Sequence, residues 1–204
     1  MAAASYGLPD LGVTTLENVL IDAKRITSAT SLPLLVDIDT GWGDFDAISN
    51  TIIEMGNANV AAVHIEDQIF DKRCGHRPNK QLVSIDEMQD RLKAALDAKI
   101  DDSFFIMART DALASEGIEK AIERCGKYLD VGADGIFFEA AVSIEEYKEF
   151  KNNFSAPLLA NITEFGKTPL FTQKELSDVG VDMVLYPLTA FLSLIHISEP
   201  TRPN

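Results

Sequence analysis

The 204-residue sequence is poor in cysteine, histidine, tryptophan and positive charge, and each scarcity excludes a class of function. Its two cysteines, Cys74 and Cys125, match no zinc-ligand spacing and no secreted disulfide framework, so reduced thiols in a cytoplasmic protein are expected. Lys and Arg number 18 against 32 Asp and Glu, for a formal net charge of -14. Such a field repels nucleic acid, and any anionic ligand must be met by local cations. No run approaches the ~18 apolar residues of a membrane span, and MAAASYGLPD lacks the charged start and apolar stretch of a signal peptide, so no membrane partner is expected. No G-x-G-x-x-G follows an apolar run, which weakens a dinucleotide-binding reading.

What is present is a sequence able to bury a large core, with 46% hydrophobic residues. Six short runs rich in Val, Ile, Leu and Phe read as strands: Leu34–Asp39, Ala61–Asp67, Phe104–Thr110, Gly135–Ala140, Leu158–Thr163 and Met183–Leu188. Amphipathic segments alternate with them, and four open on a capping box, at Thr14/Glu17, Ser84/Glu87, Ser143/Glu146 and Thr172/Glu175. Near-continuous apolar strands between helices predict an α/β protein with a parallel sheet, either open and doubly wound or closed as a (β/α)8 barrel. The repeat of SLPLLVDID in SAPLLANIT, and polar groups at the same end of every strand, favour the barrel, whose mouth collects such ends. A barrel needs eight strands, and about six are legible here.

Asp37 and Asp39, two residues apart at a strand end, predict a seat for Mg²⁺, with Glu66 and Asp67 adding acid to the same mouth. Cys74 lies in DKRCGHRPNK, the densest basic run of the chain, among Lys72, Arg73, His76, Arg77 and Lys80. Neighbouring cations favour a thiolate, so Cys74 is a candidate acid, base or nucleophile. Cys125 falls in an apolar stripe of helical period with Ile118, Ala121, Ile122 and Leu129, and reads as core. Arg109 ends a strand, where a guanidinium complements a bound carboxylate or oxyanion. His64 reads as a satisfied core histidine, and Trp42 as a mouth-lining or packing residue. Pattern alone supports a Mg²⁺-assisted enzyme acting on a small polycarboxylate.

The segments VDIDTGWG (36–43), HIEDQIFDKRCGHRPNK (64–80), IMARTDA (106–112) and NITEFGKTPLFT (161–172) together resemble the isocitrate lyase and phosphoenolpyruvate mutase superfamily. The Lys/Arg-Cys-Gly-His run marks its lyases, and RPNK and NITEFG resemble the 2-methylisocitrate lyase branch more than the isocitrate lyases. The resemblance implies a (β/α)8 barrel that cleaves 2-methylisocitrate to pyruvate and succinate in the methylcitrate route of propionate catabolism; the alternative is an isocitrate lyase or another superfamily C–C lyase. It implies Mg²⁺, for which Mn²⁺ can stand in, held by Asp37 and Asp39 with Glu66. It makes Cys74 the catalytic thiol, with His76 beside it and Arg109 acting in both catalysis and substrate binding. Asp10, Gly75, Glu139, Asn161, Ile162 and Thr163 complete the implied substrate site, and a homotetramer is implied.

Two departures qualify these expectations. Relatives of this family begin with two further strands, including a Ser-Gly-Gly substrate loop, and the run LSLIHISEPTRPN after TAF reads as a translated sequencing adaptor. Residues 1–191 are therefore expected to form a partial barrel and residues 192–204 a non-native tail. A fragment of this kind is expected to be inactive by itself.

Overall fold

The computed structural model describes residues 2–9, 11–77 and 79–198. Six strands lie where the apolar runs place them: β1 (Leu35–Asp37), β2 (Ala62–Glu66), β3 (Phe105–Thr110), β4 (Gly135–Phe138), β5 (Leu158–Asn161) and β6 (Met183–Leu185). All neighbouring pairs are parallel, and the spatial order is the chain order, β1 through β6. A doubly wound sheet reverses its order at a switch point, and this sheet does not. Crossovers of one hand between sequential strands put the helices on one face, which leaves the other face to curve upon itself.

The two faces divide the side chains by parity, because successive residues of a strand point to opposite sides. Val36, Ile38, Val63, Ile65, Ile106, Ala108, Ile136, Phe138, Leu158 and Ala160 belong to the large core cluster formed with the helices. The alternate residues Met107, Phe137 and Leu159 form a second, smaller cluster on the concave face, with Leu35, Phe105, Met183 and Leu185 packed against it. Burial on both faces accounts for the near-continuous apolar runs.

The helices are α1 (Leu16–Ala29), α2 (Phe45–Asn57), α3 (Ile85–Asp97), α4 (Leu113–Glu116), α5 (Ile118–Val131), α6 (Ile144–Asn153), α7 (Gln173–Asp178) and α8 (Thr189–Ser198). Complete capping boxes close α6 and α7 at Ser143/Glu146 and Thr172/Glu175. Ser84 caps α3 with its hydroxyl, while the Glu87 side chain accepts from Arg91 instead of closing the box. At α1 the expected Thr14/Glu17 box is replaced by Thr15 with Asn18, one residue along. The Asn18 carboxamide accepts the Thr15 N–H as a glutamate would, and Thr14 is buried. Cys125 is fully buried on α5, as its stripe predicts, and burial pushes its thiol pKa up. Helix α8 crosses the expected boundary at 191/192 without interruption. No described helix is long and apolar enough to cross a membrane.

One expected substrate residue is placed elsewhere. Ile162 is 1% exposed and packs in the helix-side core, because it has the parity of Leu158 and Ala160 rather than that of Asn161. Its backbone N–H is also taken, donating to the Leu185 carbonyl at 2.8 Å. Ile162→Ala should therefore lower the free energy of unfolding by about 2–5 kcal/mol, the cost of emptying a buried aliphatic site, as measured by urea denaturation.

Candidate functional site

The polar groups that share the concave parity stand just beyond its apolar layer. Asp37 follows Leu35, Glu66 follows His64, Arg109 follows Met107, Glu139 follows Phe137 and Asn161 follows Leu159. Asp37, Arg109, Glu139 and Asn161 line one cavity of about 350 Å³ with Cys74, Gly75, His76 and Thr163, while Glu66 lies behind Arg109, outside the lining. Of the expected site residues, Asp10 lies outside the described residues and Ile162 faces the opposite side of the sheet.

Arg109 is the centre of the charge distribution. Its Nε donates to Asp111 Oδ2 at 3.0 Å and lies 3.4 Å from Glu66 Oε2, while Nη2 lies 3.7 Å from Glu139 Oε1. The guanidinium also sits 4.8 Å above the Phe137 ring. Burial opposes its charge, but Asp111, Glu139, Glu66 and Asp37 outweigh burial and hold it protonated. Burial likewise works against the Asp111 carboxylate, and Arg109 with Lys80 more than compensates, leaving its pKa below the usual range. Glu66 is different. Burial raises its pKa well above the ordinary glutamate value despite Arg109, and neither carboxylate oxygen has a hydrogen-bond partner.

Asp37 and Asp39 do not extend side by side from a strand. Asp39 turns into the left-handed region at φ 48, and its N–H donates to Asp37 Oδ1 at 2.9 Å. Its carbonyl accepts the Glu66 N–H, which draws the three acids together, and its carboxylate is ion-paired with Lys72. Among the described residues no group of three or more His, Cys, Asp and Glu side chains forms a ready-made metal cage. The oxygen-only donor set and the unbonded oxygens of buried Glu66 nevertheless fit a hard divalent cation, which needs one or two carboxylates and keeps its waters.

The thiol loop covers this acidic surface. Gln68, buried at the end of β2, grips Arg73 through both backbone groups, at 2.8 and 3.0 Å. The loop then turns, with the Arg77 N–H on the Cys74 carbonyl. Gly75 lies so close to β3 and β4 that a Cβ there would stand 2.5 Å from Glu139 Oε1 and 2.6 Å from Arg109 Nη2. His76 Nδ1 accepts the Lys167 N–H at 3.0 Å, and its Nε2 lies 3.1 Å from Glu139 Oε1 without a hydrogen-bond partner. Gly166 permits this docking, since a Cβ would approach the His76 ring to 3.0 Å. Asn161 donates to both Glu139 oxygens, at 3.4 and 3.3 Å.

Three groups in or around the cavity were not assigned to it from sequence. Lys72 lines the cavity, and Lys80 is buried against Asp111. His64, expected in the core, lines the cavity with Nδ1 unbonded and 3.6 Å from Asp37 Oδ1, and burial lowers its pKa. The signal for His64 was its parity with Glu66. Trp42 packs against the core and donates to the Thr14 carbonyl.

The chain is similar to known proteins in both sequence and fold. The family described as phosphoenolpyruvate phosphomutase matches residues 1–199. The chain is 61% identical over 191 residues to a 2-methylisocitrate lyase of Shewanella oneidensis, covering 94% of this chain and 65% of that protein. It is 53% identical over 201 residues to the 2-methylisocitrate lyase of Escherichia coli, covering 98% of this chain and 68% of that protein. It thus spans about two thirds of the length of these relatives. Among solved structures, a 2,3-dimethylmalate lyase superposes with a TM-score of 0.92 at 34% identity, over 96% of this chain and 66% of that one. A phosphonopyruvate hydrolase in complex with oxalate and Mg++ superposes with a TM-score of 0.83 at 27% identity, over 96% and 68%. With its sequential parallel sheet, its cysteine loop and these relatives, the chain belongs to the 2-methylisocitrate lyase family of the isocitrate lyase and phosphoenolpyruvate mutase superfamily.

Proposed function

We propose that the protein, at the length of its relatives, cleaves 2-methylisocitrate to pyruvate and succinate, the carbon-carbon lyase step of propionate catabolism. The observation that carries this reading is the docking of the Cys74–His76 turn against Arg109 and Glu139 over a cavity suited to a small polycarboxylate. The 61% identity to a 2-methylisocitrate lyase supports the substrate. We also assign the six strands to a partial (β/α)8 barrel within residues 1–191, with a domain boundary at 191/192, and the parent protein to a cytoplasmic homotetramer.

Cleavage requires loss of the proton from the C2 hydroxyl, rupture of the C2–C3 bond as C2 becomes the keto carbon of pyruvate, and proton delivery to C3 of succinate. Cys74 delivers that proton in this reading, which the hold of Gln68 on Arg73 and the Arg77 N–H on the Cys74 carbonyl support. Arg109 faces the carboxylates of the substrate and balances charge that grows as the bond breaks. Asn161 and Thr163 bind the succinate portion, and Glu139 orients Asn161. Asp37, Asp39 and Glu66 would hold Mg²⁺, which supplies positive charge against the oxygens of the 2-oxo acid portion. The phosphonopyruvate hydrolase complex with Mg++ supports that cofactor.

A second C–C lyase specificity is favoured by the resemblance to 2,3-dimethylmalate lyase, and a substrate panel separates the two. Pyruvate from 2-methylisocitrate supports the assignment; cleavage of isocitrate to glyoxylate, or of 2,3-dimethylmalate, in preference to it overturns it. Cys74→Ser should lower kcat by about 10²–10⁴-fold, the range for loss of a positioned acid, in single-turnover assays. Chelation with EDTA should abolish activity, and Mg²⁺ or Mn²⁺ should restore it. Gly75→Ala, whose Cβ collides with Glu139 and Arg109, should depress kcat/KM more than about ten-fold and lower the melting transition, while the far-UV circular dichroism of the folded protein stays that of the parent.

A further inference from the structure

Lys80 is a buried cation that the reaction just described does not use. Its Nζ donates to the Gly75 carbonyl at 2.7 Å and to Asp111 Oδ1 at 2.8 Å, with side-chain exposures of 2% for Lys80 and 0% for Asp111. Asp111 in turn receives Arg109 Nε at 3.0 Å and Nη2 at 3.4 Å. The thiol turn, the strand end and the substrate-facing guanidinium are therefore joined through one ammonium group. The Gly75 carbonyl belongs to the residue between Cys74 and His76, so the contact acts on the middle of the turn. Gln68 holds only its root, and Lys167 only the His76 ring.

We propose that Lys80 is a positioning residue that bolts the Cys74–His76 turn shut over the cavity by tying the Gly75 carbonyl to Asp111 and thereby to Arg109. An ammonium suits this task better than a guanidinium, because its donors radiate from one atom and can serve a carbonyl and a carboxylate on different elements at once. Removing it leaves the Gly75 carbonyl without this donor and Asp111 with one cation instead of two. The turn then loses its link to β3 and opens more often.

The proposal rests on Cys74 being the reactive thiol of the lyase, but its test needs no turnover. The chain has two cysteines, and Cys125 is fully buried in the core. Cys74 is half-buried in the docked turn, so alkylation of the native chain by the neutral reagent iodoacetamide, resolved by peptide mass spectrometry, has a basal rate at Cys74 that rises as the turn opens, while Cys125 reports unfolding. Lys80→Met should raise the rate at Cys74 about ten-fold or more, the factor one charged hydrogen bond is worth, with Cys125 unchanged. A purely electrostatic role predicts the opposite direction, since loss of a nearby cation disfavours the thiolate and slows the reaction. Should Lys80→Met expose Cys125, Lys80→Gln is measured in its place; it keeps an amide donor for Gly75 but loses the ion pair, and a several-fold rise is expected. A folded variant of either kind in which Cys74 reacts no faster than in the parent overturns the proposal. In the full-length enzyme, Lys80→Met should lower kcat more than it raises KM. Absence of lyase activity with faster alkylation would count against the function and leave the bolt standing.

Discussion

Carboxylates buried at the ends of parallel strands cannot stay ionised unless cations are folded against them, and that requirement organises the concave face of this molecule. Glu66, Asp111 and Glu139 are all withdrawn from solvent around Arg109, and Asp39 stands nearby. The basic run at 71–80 answers them. Lys72 pairs with Asp39, Lys80 with Asp111, and His76 faces Glu139, while Arg73 and Arg77 remain exposed. The acidic mouth and the basic loop, which look like separate oddities of composition, are two halves of one charge balance. Glu66 is the group that balance leaves short, and its unbonded oxygens mark where a further positive charge would be accommodated.

Much of the fold was legible because burial on both faces leaves a strong local signal. All six strands fall within the six apolar runs, and Cys125 occupies the core position its helical stripe implies. Errors arose where two readings fit the same residues. Thr14 and Thr15 are equally able to cap a helix, and the choice turned on Asn18, which closes a box as well as a glutamate does. Ile162 belongs to the substrate site that the resemblance implies, although strand parity puts its side chain with Leu158 and Ala160 on the helix side. The same rule applied to His64 would have moved it to the cavity side, where it lies beside Asp37.

What no local pattern could convey is the set of contacts that cross between units. Lys80 meets Asp111 over 31 positions, and the Lys167 N–H meets His76 over 91. Gly75 and Gly166 stand out in sequence only as glycines, yet Gly75 marks where the thiol loop lies against Arg109 and Glu139, and Gly166 where a second loop meets His76, with no room for a methyl group at either. The thiol loop is thus positioned from three sides: by Gln68 from its own strand, by Lys80 through β3, and by the loop that follows β5. Chemistry at Cys74 depends on residues spread across much of the chain.

The sequential order of the sheet bears on how such a chain reaches its native state. Each of the six described strands pairs with the strand next to it in the chain, so none of these five pairings waits for a distant partner. Loop-closure costs are small and similar at each step, and β1 can join β2 while β5 is still being synthesised. The exception is the thiol loop, whose docking partner at Lys167 is translated long after Cys74. During synthesis the sheet would assemble before its reactive turn is locked, so the thiol would pass through the ribosome-bound stage more accessible than in the finished protein.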